Sequence, residues 1–381
     1  MDLEQLRSRI DEIDSQMVEL FKDRMEIATD IARYKKENKL PVLDKTRERA
    51  LLNKIAEMSG EEFENYSLRL YSQILELSRT YQHKCLGNKS ELTRKIEAAL
   101  DESDKKSFPE SAIVACQGVE GAYSTLACEK LFRNPNIMFF DSWDGVFSAV
   151  DKGLCKYGIL PIENSTAGSV NHVYDLMNKY KFYIVKSIRL KINHSLLAKK
   201  GTKLSDIKEI YSHEQAISQC SEFLNSLHGV KITICENTAV AAKQVAESGR
   251  SDVAAISSND CSMLYDLETV CESIQDRANN YTRFICISKN LEIYPGADKT
   301  SLMLTLPHKP GSLYSMLSMF YALDINIIKL ESRPLTDRDF EFMFYFDIES
   351  SVYSDRFIQM INELESTTEK FTYLGSYSET V

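Results

Sequence analysis

Eight polar residues interrupt or flank three apolar seams near the start of the chain: Arg7, Arg24, Lys35, Asp44, Arg47, Glu48, Ser78 and Gln82. Leu3, Leu6, Ile10, Ile13, Met17, Leu20, Arg24, Ile27 and Ile31 recur with spacings of three and four, the period of a helix packed along its length. Arg24 takes a seam position where an apolar residue is expected. A buried guanidinium must face an anion, supplied either by an Asp or Glu of the chain or by a ligand. Asp44, Arg47 and Glu48 fall at i, i+3 and i+4 of a second helix, and Ser78 and Gln82 at i and i+4 of a third. Converging, these four cations, two acids, one hydroxyl and one amide would suit a small dicarboxylate that also carries a hydroxyl. Taken singly, each is more simply a partner in a salt bridge within or between helices.

A second set of polar loops follows further on. After the apolar run AIVAC comes Gly118-Val119-Glu120-Gly121-Ala122-Tyr123-Ser124, a glycine loop that opens a helix and can point N–H groups at an anion. Its glycine spacing is not that of a dinucleotide-binding loop. YGILPIEN leads into Asn164, Ser165 and Thr166, with Gly168 at the next turn. YSHEQA offers Ser212, His213 and Gln215, and Asn280-Tyr281-Thr282-Arg283-Phe284 runs into a strand. Adjacent Ser and His seldom face each other, and no G-x-S-x-G is present, so a serine-hydrolase reading fails.

The elements that must position these sets are legible from pattern. Residues 1–40 lack Gly and Pro and predict one long helix ended by Pro41. Asp44 predicts the cap of a second helix over 45–58, closed by Ser59-Gly60. A third carries Phe63, Tyr66, Leu70, Ile74, Leu77 and Tyr81 on one face and ends near Gly87. Three helices this unequal cannot bury the long one, which predicts an intertwined dimer. Residues 87–110 are polar and read as a linker with some helix. From Ser111 to about 288, short apolar runs (AIVAC, YGILPI, FYIVKSI, EIYS, VKITIC, DVAAIS, RFICIS) alternate with helical segments, an α/β pattern in two lobes. Residues 300–376 read βαββαβ, the ferredoxin-like order. The fold class is thus multidomain: all-α, then α/β, then α+β.

Composition narrows the function. With 381 residues, two or three domains are expected. A net charge of −10 argues against general nucleic-acid binding. Nine scattered cysteines without a C-x-x-C pair predict reduced thiols and a cytoplasmic protein. The charged start predicts no signal peptide, and no apolar run is long enough to span a membrane. Six histidines form no metal-binding cluster, so neither metal nor cofactor is expected.

The first set resembles the all-helical chorismate mutases: L-R at 6–7, D-R at 23–24, Lys35, D-x-x-R-E at 44–48, and Ser78 with Gln82. The resemblance implies that Arg7 reaches over from a partner subunit. Arg7 and Arg24 would clamp the chorismate carboxylates, and Lys35 and Gln82 would donate to the ether oxygen. Glu48 would meet the ring hydroxyl, with Asp44, Arg47 and Ser78 completing the pocket. Rearrangement of chorismate to prephenate is pericyclic and needs no nucleophile, metal or cofactor. It needs a held conformer and donors for charge growing on the ether oxygen.

The second set is similar to prephenate dehydratase: G-x-x-G-x-Y-S at 118–124, P-I-E-N-S-T-x-G at 161–168, Y-S-H-x-Q at 211–215 and T-R-F at 282–284. Val119 stands where many relatives have proline. The implied fold resembles two-lobed periplasmic solute-binding proteins, with the site between lobes. The implied reaction is loss of the ring hydroxyl and CO₂ from prephenate, with Thr282 donating at the leaving group and Arg283 supporting it. Tyr123, Ser124, Asn164, Ser165, Thr166, Ser212, His213, Gln215 and Phe284 would line the site. Residues 299–376 resemble an ACT regulatory domain. Gly311, Ser312 and Leu313 lie at the start of its first helix, in G-S-L-Y where phenylalanine-sensing relatives tend to show G-A-L-V. Glu331, Ser332 and Arg333 lie in an E-S-R-P match. They imply L-phenylalanine as effector.

These resemblances place a helical domain at 1–90, a linker at 91–110, the dehydratase domain at 111–288 and the regulatory domain at 299–376. They predict a bifunctional enzyme of L-phenylalanine biosynthesis, at least a dimer, with chorismate, prephenate and L-phenylalanine as its small-molecule partners and no nucleic acid or membrane among them. A fused NAD-dependent prephenate dehydrogenase would need a Rossmann fingerprint, which is absent. A non-catalytic aromatic-metabolite sensor would have no need for Lys35 with Gln82, or Thr282 with Arg283.

Overall fold

Asp2 opens the first helix with a reciprocal cap: its carboxylate accepts from the Gln5 backbone N–H at 2.8 Å, and the Gln5 side chain accepts from the Asp2 N–H at 3.2 Å. In the computed structural model, residues 2–86, 90–103, 107–334, 342–368 and 370–381 are described. They form two units, Met1–Arg94 with Ser354–Thr368, and Lys95–Tyr353 with Glu369–Val381.

In the first unit, α1 (Leu3–Glu37) ends with Lys35 and Lys36 in its last turn, where cations suit the helix dipole. Asp44 caps α2 (Lys45–Leu86) by accepting from the Arg47 N–H at 2.9 Å. Gly60, at φ 66° and ψ 166°, breaks α2 into the two helices that the sequence separates there. Gly87, the expected end of the third helix, lies outside the described residues. Ala28 and Ala32 of α1 are buried, whereas Leu3, Leu6, Ile10, Ile13, Met17, Leu20, Ile27 and Ile31 are all exposed. One chain thus leaves the predicted seam uncovered. The polar stretch after α2 does contain a helix, α3 (Glu91–Ser103). Ser90 caps it by accepting from the Thr93 N–H at 2.9 Å.

The second unit begins with β1 (Ile113–Gln117), α4 (Tyr123–Leu131), β2 (Asn136–Phe140), α5 (Trp143–Asp151), β3 (Tyr157–Asn164), β4 (Gly168–Ser169), α6 (Asn171–Tyr180) and β5 (Tyr183–Lys191). The chain then crosses into a second lobe of β6 (Ser195–Ala198), β7 (Glu209–Ser212), α7 (Glu214–Gln219), α8 (Ser221–Ser226), β8 (Lys231–Ile234), α9 (Thr238–Glu247), β9 (Val253–Ser257), α10 (Asp260–Leu264) and β10 (Glu268–Cys271). It returns through β11 (Tyr281–Ser288). The C-terminal part runs β12 (Lys299–Thr305), α11 (Ser312–Ala322), β13 (Asn326–Pro334), β14 (Phe342–Glu349), α12 (Asp355–Thr367) and β15 (Lys370–Tyr377), the βαββαβ order read from sequence, followed by β16 (Glu379–Thr380). By its contacts, α12 groups with the first unit, where it packs on α2.

Three sheets result, in strand orders β16-β5-β11-β3-β1-β2 with β4 on β3, β10-β6-β9-β7-β8, and β13-β14-β12-β15. The first two are the lobes expected from the alternating pattern, and each has its own apolar core. The third shares a core with the first lobe, where Met303, Tyr345, Leu374 and Tyr377 join Leu160, Ile184 and Ile285. At Gly375, φ 125°, a Cβ atom would come within 2.3 Å of the Ile184 carbonyl oxygen, so only glycine lets β15 approach β5 this closely.

Candidate active sites

The helical pocket forms where the end of α1 meets both halves of α2. Lys35 Nζ donates to the Val42 carbonyl at 2.5 Å and to Gln82 Oε1 at 3.4 Å, and Gln82 Nε2 reaches Ser78 Oγ at 3.4 Å. Ser78 and Gln82 are buried. Burial lowers the Lys35 pKa below the ordinary lysine value, while the charges of Asp44 and Glu48 pull it back up. Glu48 pairs with Arg79 at 2.6 Å, a cation that the sequence pattern did not single out. Lys35, Asp44, Glu48, Ser78 and Gln82 therefore come together in one chain. Arg7 and Arg47 are exposed and Arg24 is half-buried, and none of the three has an acidic partner among the described residues.

The dehydratase-like set gathers on the end of β3, the β3–β4 turn, α7 and the start of β11. Asn164 Oδ1 accepts from the backbone N–H groups of Thr166 at 3.0 Å and Ala167 at 2.9 Å. Those two donors fix which end of the amide is oxygen. Asn164 Nδ2 must then donate, to Asn280 Oδ1 at 2.8 Å and to Thr282 Oγ1 at 2.9 Å. Asn280 Nδ2 donates to Gln219 Oε1 at 2.9 Å, and Gln219 Nε2 to Thr166 Oγ1 at 3.0 Å. Thr166 closes the ring by donating to Asn164 Oδ1 at 2.6 Å. Ser165 ties this turn to β11 by accepting from the Tyr281 N–H at 2.9 Å.

His194 is buried, and its Nε2 lies 3.0 Å from Gln219 Oε1, an oxygen that can only accept. Burial lowers its pKa, so the ring is neutral at pH 7, with Nε2–H donating and Nδ1 left without a hydrogen-bond partner. Tyr123 and His194 meet at a steep angle of 80°, with centroids 6.1 Å apart, and Tyr123 donates its hydroxyl to the Asn193 carbonyl at 2.7 Å.

A cavity of about 650 Å³ opens beside this network, lined among others by Thr166, His213, Gln215, Gln219, Arg277 and Asn280. His213 caps α7, its Nδ1 accepting from the Gln215 N–H at 3.2 Å, so the neutral ring carries its proton on Nε2. Burial holds the His213 pKa down as well, with Glu214 opposing. Thr282 is half-buried and is joined through Asn164 to Thr166 and Asn280, which line the cavity.

Several predicted residues stand elsewhere. Ser124 is buried and donates to the Gln117 carbonyl at 2.7 Å, and Ser212 is buried and donates to the Ile256 carbonyl at 2.9 Å. Both tie down the loops that carry their neighbours. Phe284 is in the core of the first lobe. Arg283, 5% exposed, is the neighbour of Thr282 and so turns to the opposite face of β11, where it meets Asp347 at 2.6 Å and Glu163 at 3.2 Å. Conversely, Gln219, His194 and Arg277 entered through the structure, and Asn280, which opens the run into β11, gained its partners there. Gln219 was within reach of the sequence, because it lies one helical turn after Gln215.

In the C-terminal sheet, Gly311 has φ 87° and precedes α11 without a side-chain cap; the Ser312 N–H donates to the Lys309 carbonyl at 3.3 Å, which leaves the N–H groups of Leu313 and Tyr314 uncapped, and a Cβ at Gly311 would touch nothing within 4 Å. Ser312 Oγ is buried without a hydrogen-bond partner. Glu331 instead bonds Ser169, and Arg333 pairs with Asp175 at 3.1 Å, so these residues of the E-S-R-P stretch face the first lobe. Ser332, on the alternate face of β13, is exposed.

Comparison with known proteins matches this arrangement. The chorismate mutase type II family pattern covers residues 6–83, and the prephenate dehydratase family pattern covers residues 114–292. A bifunctional chorismate mutase/prephenate dehydratase from Enterobacter agglomerans is 31% identical over 98% of this chain and 95% of its own length. Arogenate dehydratase/prephenate dehydratase 2 from Arabidopsis thaliana is 36% identical over 69% of this chain and 72% of its own length. A prephenate dehydratase from Arthrobacter aurescens, solved in complex with L-Phe, superposes with a TM-score of 0.64 at 26% identity, covering 70% of this chain and 89% of that one. Two patterns matched in tandem, each over one of the two polar sites, and a relative aligned almost end to end leave one assignment: the chain belongs to the bifunctional chorismate mutase/prephenate dehydratase family.

Proposed function

We propose that the two reactions of this bifunctional enzyme run at separate places, chorismate rearranging at the Lys35–Gln82 pocket and prephenate losing water and CO₂ at the Asn164–Thr282 network. Their shared product line is L-phenylalanine biosynthesis. The carrying observation is the fixed amide of Asn164. Because that amide donates to Thr282 Oγ1, the threonine oxygen is an acceptor there and its own O–H remains to be given to another oxygen. A hydroxyl leaving prephenate needs such a donor. Arg277, the cation among the cavity-lining residues, is suited to hold the carboxylate that stays with the product.

In the helical pocket, Lys35 and Gln82 are the donors for charge building on the ether oxygen, and Glu48 holds the ring hydroxyl. Asp44, Arg47 and Ser78 complete it, and Arg24 with Arg7 takes the carboxylates. The exposed seam of α1 supports a dimer in which Arg7 comes from the partner copy. L-Phenylalanine as effector at Gly311–Leu313 is supported by the positive φ of Gly311 and the uncapped N–H of Leu313. On this reading residues 1–90, 111–288 and 299–376 are the mutase, dehydratase and ACT domains, with a linker at 91–110. The nine unpaired cysteines support a cytoplasmic location. Among the described residues, no helix is long and apolar enough to cross a membrane.

The test is steady-state turnover by purified protein, followed as chorismate consumption and phenylpyruvate formation. Lys35→Ala should abolish the first and spare dehydration of supplied prephenate, and Thr282→Ala should do the reverse. Loss of both reactions in either well-folded variant would refute separate sites.

A further inference from the structure

Strands β11 and β5 place Arg283 directly opposite Arg189. Like charges facing each other on an antiparallel pair destabilise it. The answering anion comes from the far end of the chain. β16 adds to β5 as a parallel edge strand, with Glu379 opposite Ser187. The Glu379 carboxylate, 3% exposed, lies 2.9 Å from Arg189 Nε through Oε1 and 3.0 Å from Arg283 Nε through Oε2, the second as an ion pair without hydrogen-bond alignment. The remaining guanidinium nitrogens of Arg283 are held by Asp347, Glu163 and the Tyr377 hydroxyl.

This bridge sits beside a flaw in the ladder. Against β3, Arg283 pairs with Glu163 but Phe284 pairs with Pro161, so Ile162 is left over as a bulge. Bulges re-aim the side chains next to them. The ladder to β3 therefore shifts between Arg283 and Phe284, one residue beyond Thr282, while the ladder to β5 runs unbroken from Tyr281 to Cys286. On the opposite face of β11 from Thr282, the side-chain bridge ties this segment to β5 and β16.

We propose that Glu379 is a positioning residue for dehydration. By joining Arg189 to Arg283 it holds β11 in the setting that brings Thr282 to Asn164, so the dehydratase site is complete only with β16 seated on β5. This inference rests on Thr282 serving the dehydratase reaction. That premise is tested separately by Thr282→Ala, whose full activity would remove it whatever Glu379 does.

The experiment compares Glu379→Gln, Arg189→Gln and the double variant in the full chain, with kcat and KM for prephenate, mutase turnover and the thermal midpoint as readouts. Glu379→Gln should lower kcat about ten-fold with little change in KM, since a small misplacement of a reacting group costs rate. Mutase turnover should be unchanged. In the double variant no like-charged pair remains, so kcat should recover most of the loss. If Glu379→Gln gives no folded protein, the double variant is compared with Arg189→Gln and should match it within about three-fold. An unchanged kcat in Glu379→Gln, a loss confined to KM, or a double variant worse than Glu379→Gln would each overturn the proposal.

Discussion

Asn164 donates one amide hydrogen to Thr282 Oγ1 at 2.9 Å while its carbonyl oxygen is pinned by two backbone N–H groups of the following turn. Direction is thereby built into the pair. The threonine receives one hydrogen bond and keeps its own hydrogen to give.

Asn164→Asp tests that direction. The carboxylate would still accept from the turn but could no longer donate to Thr282, which would then spend its hydrogen on the aspartate. Dehydratase kcat should fall by about two orders of magnitude or more, the usual worth of a placed proton donor. Stopped assays of phenylpyruvate formation measure it. A variant within two-fold of wild type would exclude the donor role, since an effect that small lies far below the roughly hundred-fold expected.

The depressed pKa of Lys35 makes a pH prediction for the mutase. A lysine loses its charge above its pKa, so burial brings that loss to lower pH than for an ordinary lysine. The kcat/KM for chorismate, which reports the free enzyme, should fall with an inflection below the ordinary lysine pKa of about 10.4. The folded state binds fewer protons than the unfolded one between the depressed and ordinary values, so this group raises stability as pH rises through that window. Titration of Lys35 itself would thus not unfold the protein, and circular dichroism over the same range checks that the fold persists while the rate falls. Any residual rate of Lys35→Arg should lack this limb, and an unchanged limb in that variant would assign it elsewhere.

Arg7 and the seam of α1 are exposed in one chain, and a pocket shared between copies has a sharp consequence. Arg7→Ala and Arg24→Ala should each be inactive as mutases. Mixed under subunit exchange, heterodimers would hold one pocket drawing both arginines from intact copies, giving roughly a quarter of wild-type activity overall. Mass spectrometry can establish that heterodimers form. If they form and no activity returns, the pocket is not shared.

Gly311 bears on control. Alanine there meets no neighbour but must take a φ of 87°, which strains the backbone by about 1–2 kcal/mol and displaces the N–H groups offered to an effector carboxylate. Gly311→Ala should shift inhibition of dehydration to higher phenylalanine concentration and leave the uninhibited rate unaltered. Dehydratase rate against phenylalanine concentration reads this directly. An identical inhibition curve would place the effector somewhere else, and a wild type indifferent to phenylalanine would end the regulatory reading.

Local rules determined much of this protein. The three-and-four spacing and the caps at Asp2 and Asp44 set the helices, because helix periodicity and capping act over a turn or two of chain. Gly60 broke α2 where its φ had to turn positive, and strand alternation announced the two lobes and the βαββαβ order. Contiguous motifs likewise pointed to candidate residues for both sites. What a motif cannot carry is direction and company. Thr282 and Arg283 are neighbours in one signature, yet a strand sends them to opposite faces, one toward Asn164 and the other into a buried charge cluster. Ser124 and Ser212 stand among site residues in sequence but spend their hydroxyls on backbone carbonyls behind the loops. Gln219, Asn280 and His194 joined the Asn164 network only because β3, α7 and β11 converge, and Glu379 reached Arg283 from the far end of the chain only because β16 pairs with β5. Those contacts join residues tens to nearly two hundred positions apart, so packing alone decided them.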